Sequence, residues 1–444
     1  MQRIPYIALL FLSVLMASCS SNPNFQEDAN QASFFLRSMD RLTEVSVHDI
    51  FSPPAASRVY VYPNIAAYEA LRPGHPAQKS FAGQLRGLEN IPQPQADQEY
   101  CFPVASLHAF LKVGKTMIFS EAKMDTFRNE LFAEIDQINI PSTVYKNSIE
   151  FGDQIADHIL AWADKDNYKQ TRSFPKFKIT DDPGQWKPTP PAYLEGIEPH
   201  WREIRPMVLD SAQQFTPPAP PSFDMTPGSD FYEKTMVVYK TVKEVDKEQR
   251  LIASFWDCNP YVMNQTGHVM YATKKITPGG HWMGITSVVC EQAATDLMAT
   301  VKAHTMVSIA LFDGFISCWD EKYRSNLIRP ETVINEHLDE QWKPVLQTPP
   351  FPEHTSGHSV ISTAAAVTLT SIFGENFKFT DDVEVPYGLP ERSFDSFLAA
   401  SSEAAISRLY GGIHYMPAIE DGVAQGKKVG NWIVQNVRTE AQAQ

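Results

Sequence analysis

Three short stretches in the last third of the sequence gather residue types that can hold and transform a multiply charged oxyanion. The first runs from Trp319 to Pro330 and sets Lys322 seven residues before Arg329. That is close to two helical turns, so a helix would carry both cations on one face. Pro330 disfavours helix at Arg329 and should end the segment there. Two converging cations suit an anion with more than one charge. The second stretch, Phe351 to His358, closes with Ser356-Gly357-His358 ahead of an apolar run from Ser359 to Phe373. Ser356 is a good helix cap, Gly357 lets backbone come close to an anion, and the free N–H groups of a helix start favour negative charge. His358 then falls in the first turn. The third stretch, Ser407 to His414, contains Gly411 and Gly412, which should stop one helix, while Pro417 suits the start of the next. His414 therefore sits at a corner from which a side chain can enter a pocket, with Arg408 near the end of the helix before it. Each stretch alone has an ordinary explanation: a solvated cation pair, a serine cap with outward-facing His354 and His358, an arginine capping carbonyls.

Together they carry more. Lys322, Arg329, Ser356-Gly357-His358, Arg408 and His414, in this order and with these gaps, resemble the signature of the type 2 phosphatidic acid phosphatase and vanadium haloperoxidase superfamily. That signature is Lys, six residues, Arg-Pro; then Pro-Ser-Gly-His; then Ser-Arg, five residues, His. The resemblance implies an oxyanion, vanadate or phosphate, held by Lys322, Arg329, Ser356, Gly357 and Arg408. It also implies that His414 either ligates vanadium axially or attacks phosphorus, and that His358 serves as general acid and base. There are two departures. Thr355 stands where the family has proline, and Ala418 stands where it has an aspartate four residues after the last histidine. Glu420 and Asp421 follow, and the acid that orients His414 is left unassigned.

Two reactions share such a site. The chain lacks the multiple membrane spans of lipid phosphatases and is much longer than a minimal acid phosphatase. Trp319 and Phe351 stand where the resemblance places the halide-lining aromatics of haloperoxidases, although a Trp and a Phe near a helical core are commonly just core. Tyr261 is a further candidate for that pocket. The stretches Phe51 to Tyr60, Pro188-Thr189-Pro190-Pro191 and Phe255 to Tyr261 are also similar to bacterial vanadium haloperoxidases, the iodide-oxidising group above all. The expectation is a vanadate-dependent haloperoxidase that oxidises iodide, and bromide with it, using hydrogen peroxide. An acid phosphatase working through a phosphohistidine is the alternative, and a non-catalytic surface lipoprotein on the same fold is a third.

The elements that must position these residues read mainly as α-helices. Helical period marks Phe34–Leu42, Pro63–Leu71, Val104–Phe119, Lys123–Asn139, Thr143–Ala163, Ser229–Asp257, Val288–Trp319, Ser359–Phe373, Phe394–Tyr410 and Ala418–Val437. Alternating strand patterns are scarce, so a helical bundle is expected. The 33 prolines outnumber the 21 glycines, and they crowd residues 181–224, which cannot form a long helix. Trp186, Trp201 and Tyr193 in that stretch indicate a segment wrapped on the bundle rather than a free linker. One domain is expected over residues 33–444, with the chemistry within 319–421.

A net charge of −14 argues against nucleic acid or an anionic membrane surface as partner. The first 18 residues read as an export signal: Arg3, an apolar run from Ile7 to Met16, then Met16-Ala17-Ser18-Cys19. This resembles a bacterial lipobox, which implies acylation of Cys19, with polar residues 19–32 as a tether and the cell envelope as location. Cys101, Cys258, Cys290 and Cys318 form no C-x-x-C pair. They leave open up to two disulfides or buried free thiols.

Overall fold

The computed structural model describes residues 22–266 and 268–440. Its helices are α1 (Phe25–Ala29), α2 (Ala32–His48), α3 (Pro53–Leu71), α4 (Phe102–Met117), α5 (Glu121–Asp136), α6 (Ser142–Ala163), α7 (Tyr168–Thr171), α8 (Asp230–Glu244), α9 (Lys247–Phe255), α10 (Pro278–Gln292), α11 (Leu297–Ser325), α12 (Pro330–His337), α13 (Gly357–Phe373), α14 (Phe397–Tyr410) and α15 (Met416–Asn436). Two short antiparallel hairpins complete the fold: β1 (Met263–Thr266) with β2 (Val269–Ala272), and β3 (Phe379–Asp381) with β4 (Arg392–Phe394). The mainly α expectation holds.

Helix starts follow the capping chemistry. Ser52, Ser229, Asp246, Thr277, Asp296, Ser356 and Ser396 each accept the backbone N–H three residues on. Such a cap contributes about 1 kcal/mol. Caps also correct the expected elements. The long helix read over Ser229–Asp257 divides at Asp246, which forms a capping box with Gln249. The one read over Val288–Trp319 restarts at Asp296. α3 begins at Pro53 rather than Pro63, because Pro53 and Pro54 fill a first turn whose N–H groups need no partner. Lys322 and Arg329 do not share a helix face. α11 ends at Ser325, Asn326 turns left-handed at φ 49°, and Arg329 is the N-cap of α12.

A continuous hydrophobic core runs from Phe25 to Val437. α11 lies at its centre against α3 and α13, and α13 in turn packs on α14 and α15. α15 reaches α13 through Gly422, Gly426 and Gly430. A Cβ at Gly426 would lie 2.2 Å from the Val360 carbonyl oxygen, so only glycine allows this approach. The proline-rich segment is pinned as a belt. Trp186 and Trp201 are buried, and the Asp313 carboxylate on α11 accepts the N–H groups of Met207, Val208 and Leu209 at 2.6, 2.8 and 3.0 Å. The Ile197 carbonyl takes hydrogen bonds from Trp319 Nε1 at 3.1 Å and the Tyr323 hydroxyl at 2.6 Å.

Residues 22–32 are not the free tether expected of them. Phe25 and Ala29 of α1 are buried, Asn22 donates to the Asn139 carbonyl and Gln26 to that of Tyr100. One phenylalanine in a polar run suffices to dock it. The export segment and Cys19 lie outside the described residues. Cys101, Cys258, Cys290 and Cys318 are buried free thiols. Among the described residues no helix is long and apolar enough to cross a membrane.

Candidate functional site

One cavity collects the three stretches. Trp319, Phe351, Gly357, His358, Arg408 and His414 all line it. Trp319 comes from the last turns of α11, Phe351 from the loop before α13, His358 from the first turn of α13, Arg408 from the end of α14, and His414 from the corner before α15. Lys322 and Arg329 lie behind this wall and are fully buried. Their charges converge from two elements: Phe351 has Lys322 Nζ 5.1 Å and Arg329 Cζ 5.2 Å from its ring centre.

The cations are held by backbone oxygen. Lys322 donates to the carbonyls of Pro352, Glu353 and Thr355 at 3.1, 3.1 and 2.5 Å. Arg329 donates to those of Phe351 and Ile413 at 2.9 and 2.8 Å, and Arg408 to that of Trp256 at 2.7 Å. Carbonyl dipoles neutralise less charge than a carboxylate would, so the three retain positive charge for an anion. Burial lowers all three, Lys322 to about 8 and Arg329 to about 10. An oxyanion between them would raise these values again by favouring the charged forms.

His414 is oriented from both ends. Its Nδ1 lies 2.8 Å from Glu353 Oε1, which also accepts the Tyr415 N–H at 2.9 Å. Arg329 Nη1 lies 3.2 Å from its Nε2. A carboxylate at Nδ1 and a guanidinium donor at Nε2 select one tautomer: Nδ1 carries the proton and Nε2 keeps its lone pair. Burial, reinforced by Arg329, Lys322 and Arg408, holds His414 well below the ordinary imidazole value. His358 is likewise held well below by burial and Arg408. Both rings are therefore neutral near pH 7.

Glu353 is the acid that sequence reasoning left unassigned. It lies in the Pro352-Glu353-His354 run before Ser356, where the only signal was an orienting acid missing at position 418. Burial raises it to about 7, against the pull of Arg329 and Lys322. Position 418 has another duty: the Ala418 carbonyl accepts the Ser356 N–H at 2.9 Å. Asp421 faces His354, 3.9 Å away, rather than His414. Tyr261, expected in the halide pocket, lines a separate cleft beside Arg172, Glu198 and His200.

The residues present fit a tetrahedral oxyanion. Arg329 Nη2 and His358 Nε2 are buried without a hydrogen-bond partner. Ser356 accepts the Ser359 N–H at 3.3 Å, and its own O–H can still donate. A Cβ on Gly357 would sit 3.6 Å from Trp319 and 3.9 Å from Lys322 Cε, so glycine keeps that space clear.

A helical bundle that closes a cation-backed cavity around two neutral histidines defines an oxyanion-binding enzyme. Known proteins narrow the class. Residues 302–443 match the family model described as the VCPO second helical-bundle domain. The chain is 51% identical to a bacterial vanadium-dependent iodoperoxidase of known crystal structure, over 93% of this chain and 98% of that one, with a TM-score of 0.88. It shares its fold with the holo and apo structures of bacterial vanadium-dependent chloroperoxidase. Those are 14% and 13% identical, with TM-scores of 0.68 and 0.65, over 87% of this chain and 93% and 94% of theirs. No curated protein matches the chain. The protein belongs to the vanadium-dependent haloperoxidase family.

Proposed function

We propose that the protein binds vanadate at His414 and uses it to oxidise halide with hydrogen peroxide to hypohalous acid, with iodide as the principal substrate. The observation that carries this reading is the Glu353–His414–Arg329 line, which fixes an imidazole lone pair at Nε2 among three buried cations. The 51% identical iodoperoxidase supports the choice of halide. Vanadate, when bound, supplies a Lewis acid that activates peroxide toward halide.

The chain does the rest. Arg329, Arg408 and Lys322 balance the anion's charge, while the Ser356 hydroxyl and the Gly357 N–H at the start of α13 donate to its oxygens. Lys322 must exchange one of its carbonyl bonds to touch the anion and otherwise acts through charge. His358 Nε2 moves protons at the cavity side. Trp319 and Phe351, with rings 4.9 Å apart, strip water from a large, weakly hydrated iodide. Triiodide formation by the purified protein, with hydrogen peroxide, before and after vanadate loading tests the proposal. Vanadate-dependent formation is expected. Its absence over a range of pH, with phosphate-ester hydrolysis in the same preparation, would move the chain to phosphatase chemistry.

Export and acylation of Cys19 complete the reading. Two residues, Ser20 and Ser21, separate Cys19 from Asn22, where the docked body begins, which makes three residue steps. At about 3.5 Å per residue a lipid there would hold the enzyme within roughly 10 Å of its membrane. Labelled fatty-acid incorporation that disappears in Cys19→Ala is the expected result.

A further inference from the structure

A second cluster lies on the far side of the Cys258 wall. Cys258 follows α9, His281 occupies the first turn of α10, and Asp381 and Glu384 flank the turn that leaves β3. All four are buried. Cys258 Sγ, His281 Nδ1 and Glu384 Oε1 form a compact triangle with edges of 3.4 Å (S–N), 3.6 Å (S–O) and 3.2 Å (N–O). The other ring nitrogen, His281 Nε2, is 2.8 Å from Asp381 Oδ2. Trp256 stacks on the imidazole at 4.8 Å and 21°, which fixes the ring plane.

We propose that Cys258, His281 and Glu384 form a metal site for a zinc-class divalent ion, sharing only the Cys258 wall with the oxyanion cavity and independent of the proposed function. The chemistry of the donors fits: one thiolate, one imidazole and one carboxylate are the ligand types zinc accepts. Among the described residues they are the one group of three His, Cys, Asp or Glu ligand atoms close enough to share an ion. The dimensions fit as well. Tetrahedral zinc with bonds of about 2.3 Å to sulfur, 2.1 Å to nitrogen and 2.0 Å to oxygen separates its ligands by roughly 3.3–3.6 Å. The triangle already has edges of that size, so an ion settles just off its plane with little movement of the side chains.

Asp381 supplies the outer partner. Its carboxylate accepts the Nε2 proton, which leaves Nδ1 as the donor and orients the ring, the arrangement usual for metal-binding histidine. Binding releases the thiol proton of Cys258 to solvent, and the imidazolium proton where one is present. Burial pushes the thiol up to about 11, and a bound cation is what would favour its thiolate. Entry is short, because Glu384 is 6% exposed and precedes a surface turn in which Val385 is 48% and Tyr387 39% exposed. The ion would tie α9, α10 and the β3–β4 hairpin together behind a residue, Cys258, that also lines the oxyanion cavity.

The test begins with the purified full chain, stripped with chelator, given zinc and re-dialysed. Elemental analysis should find one zinc per chain, unchanged by vanadate. Competition with a chromogenic chelator should show affinity falling at least 100-fold in Cys258→Ser and 10-fold or more in Glu384→Gln. Because either variant could fold poorly, cobalt is also added to the unaltered protein. A thiolate-to-cobalt charge-transfer band is expected, and zinc should abolish it. No retained zinc, equal retention by folded variants, or bound cobalt without that band would each overturn the proposal.

Discussion

Two buried imidazoles in this protein lie 2.8 Å from buried carboxylates, His414 from Glu353 and His281 from Asp381. Their charge states are opposite. Burial works against the charged form of both. At His281 the Asp381 carboxylate, joined by Cys258 on the other side of the ring, overrides it and holds the ring well above its ordinary value. At His414 the guanidinium of Arg329 and the Lys322 and Arg408 charges add to burial and hold the ring well below. A single hydrogen-bonded carboxylate therefore does not decide protonation; the charges on the other side of the ring do. Around His414 those charges are cations, so the pocket invites an anion and offers it a lone pair once Arg329 Nη1 turns from Nε2 to the anion. Around His281 the neighbours are two carboxylates, Asp381 and Glu384, and a thiol, so the pocket holds a cation, whether a proton or the proposed metal.

The comparison breaks most sharply at His414. His414→Ala should abolish vanadate binding and reduce vanadate-dependent turnover by about three orders of magnitude or more, measured as triiodide formation beside equilibrium dialysis. Near-normal binding would detach the lone pair from the site. His358→Ala should keep anion binding measurable and lower kcat by roughly 100- to 10,000-fold, the range for a lost general acid or base. A rise in KM with kcat intact would instead make it a binding group. Glu353→Gln sharpens the contrast further. It keeps the shape and an oxygen acceptor for Nδ1–H but removes the charge, so vanadate affinity should fall about 10- to 100-fold while kcat of the loaded enzyme changes less. An unchanged affinity would show that orientation of the ring matters and the Glu353 charge does not.

The seven residues that carry the oxyanion signature were legible because capping, glycine stops and spaced cations each leave a local mark. Their placement was less so. Lys322 and Arg329 read as one helical face because nothing in the sequence announced that Asn326 turns left-handed. Glu353 was hidden, since its partner lies 61 residues away and a Pro-Glu-His run resembles any loop. α3 lost half its length in the reading for a related reason. Every one of its residues is buried, so it has no polar face, and period alone cannot find a helix without one. The belt was legible from composition, yet its anchor, Asp313, lies more than 100 residues away on α11 and leaves no mark in the belt itself.

A third buried histidine separates the effect of burial from that of neighbouring charge. His304 on α11 has no carboxylate: its Nδ1 faces the Thr300 carbonyl at 2.9 Å and its Nε2 the Ser287 hydroxyl at 3.0 Å, with the Phe35 ring edge-on at 5.3 Å. Burial lowers it to about 4, against the small pull of the Thr300 carbonyl. In the unfolded chain this ring takes up a proton near pH 6.5, whereas in the folded protein it stays neutral until about pH 4. The unfolded state therefore binds more protons between those values, and stability falls as pH drops from about 6.5 to about 4, then levels off. The full loss from this one ring is on the order of 3 kcal/mol. His304→Gln keeps a donor and an acceptor without a titrating group. Denaturant unfolding of both proteins at pH 7 and pH 4.5 should show the variant losing less stability on acidification. Equal losses would place the acid sensitivity elsewhere and show that burial alone does not keep a histidine neutral in this core. The low value at His414 would then rest chiefly on its cations.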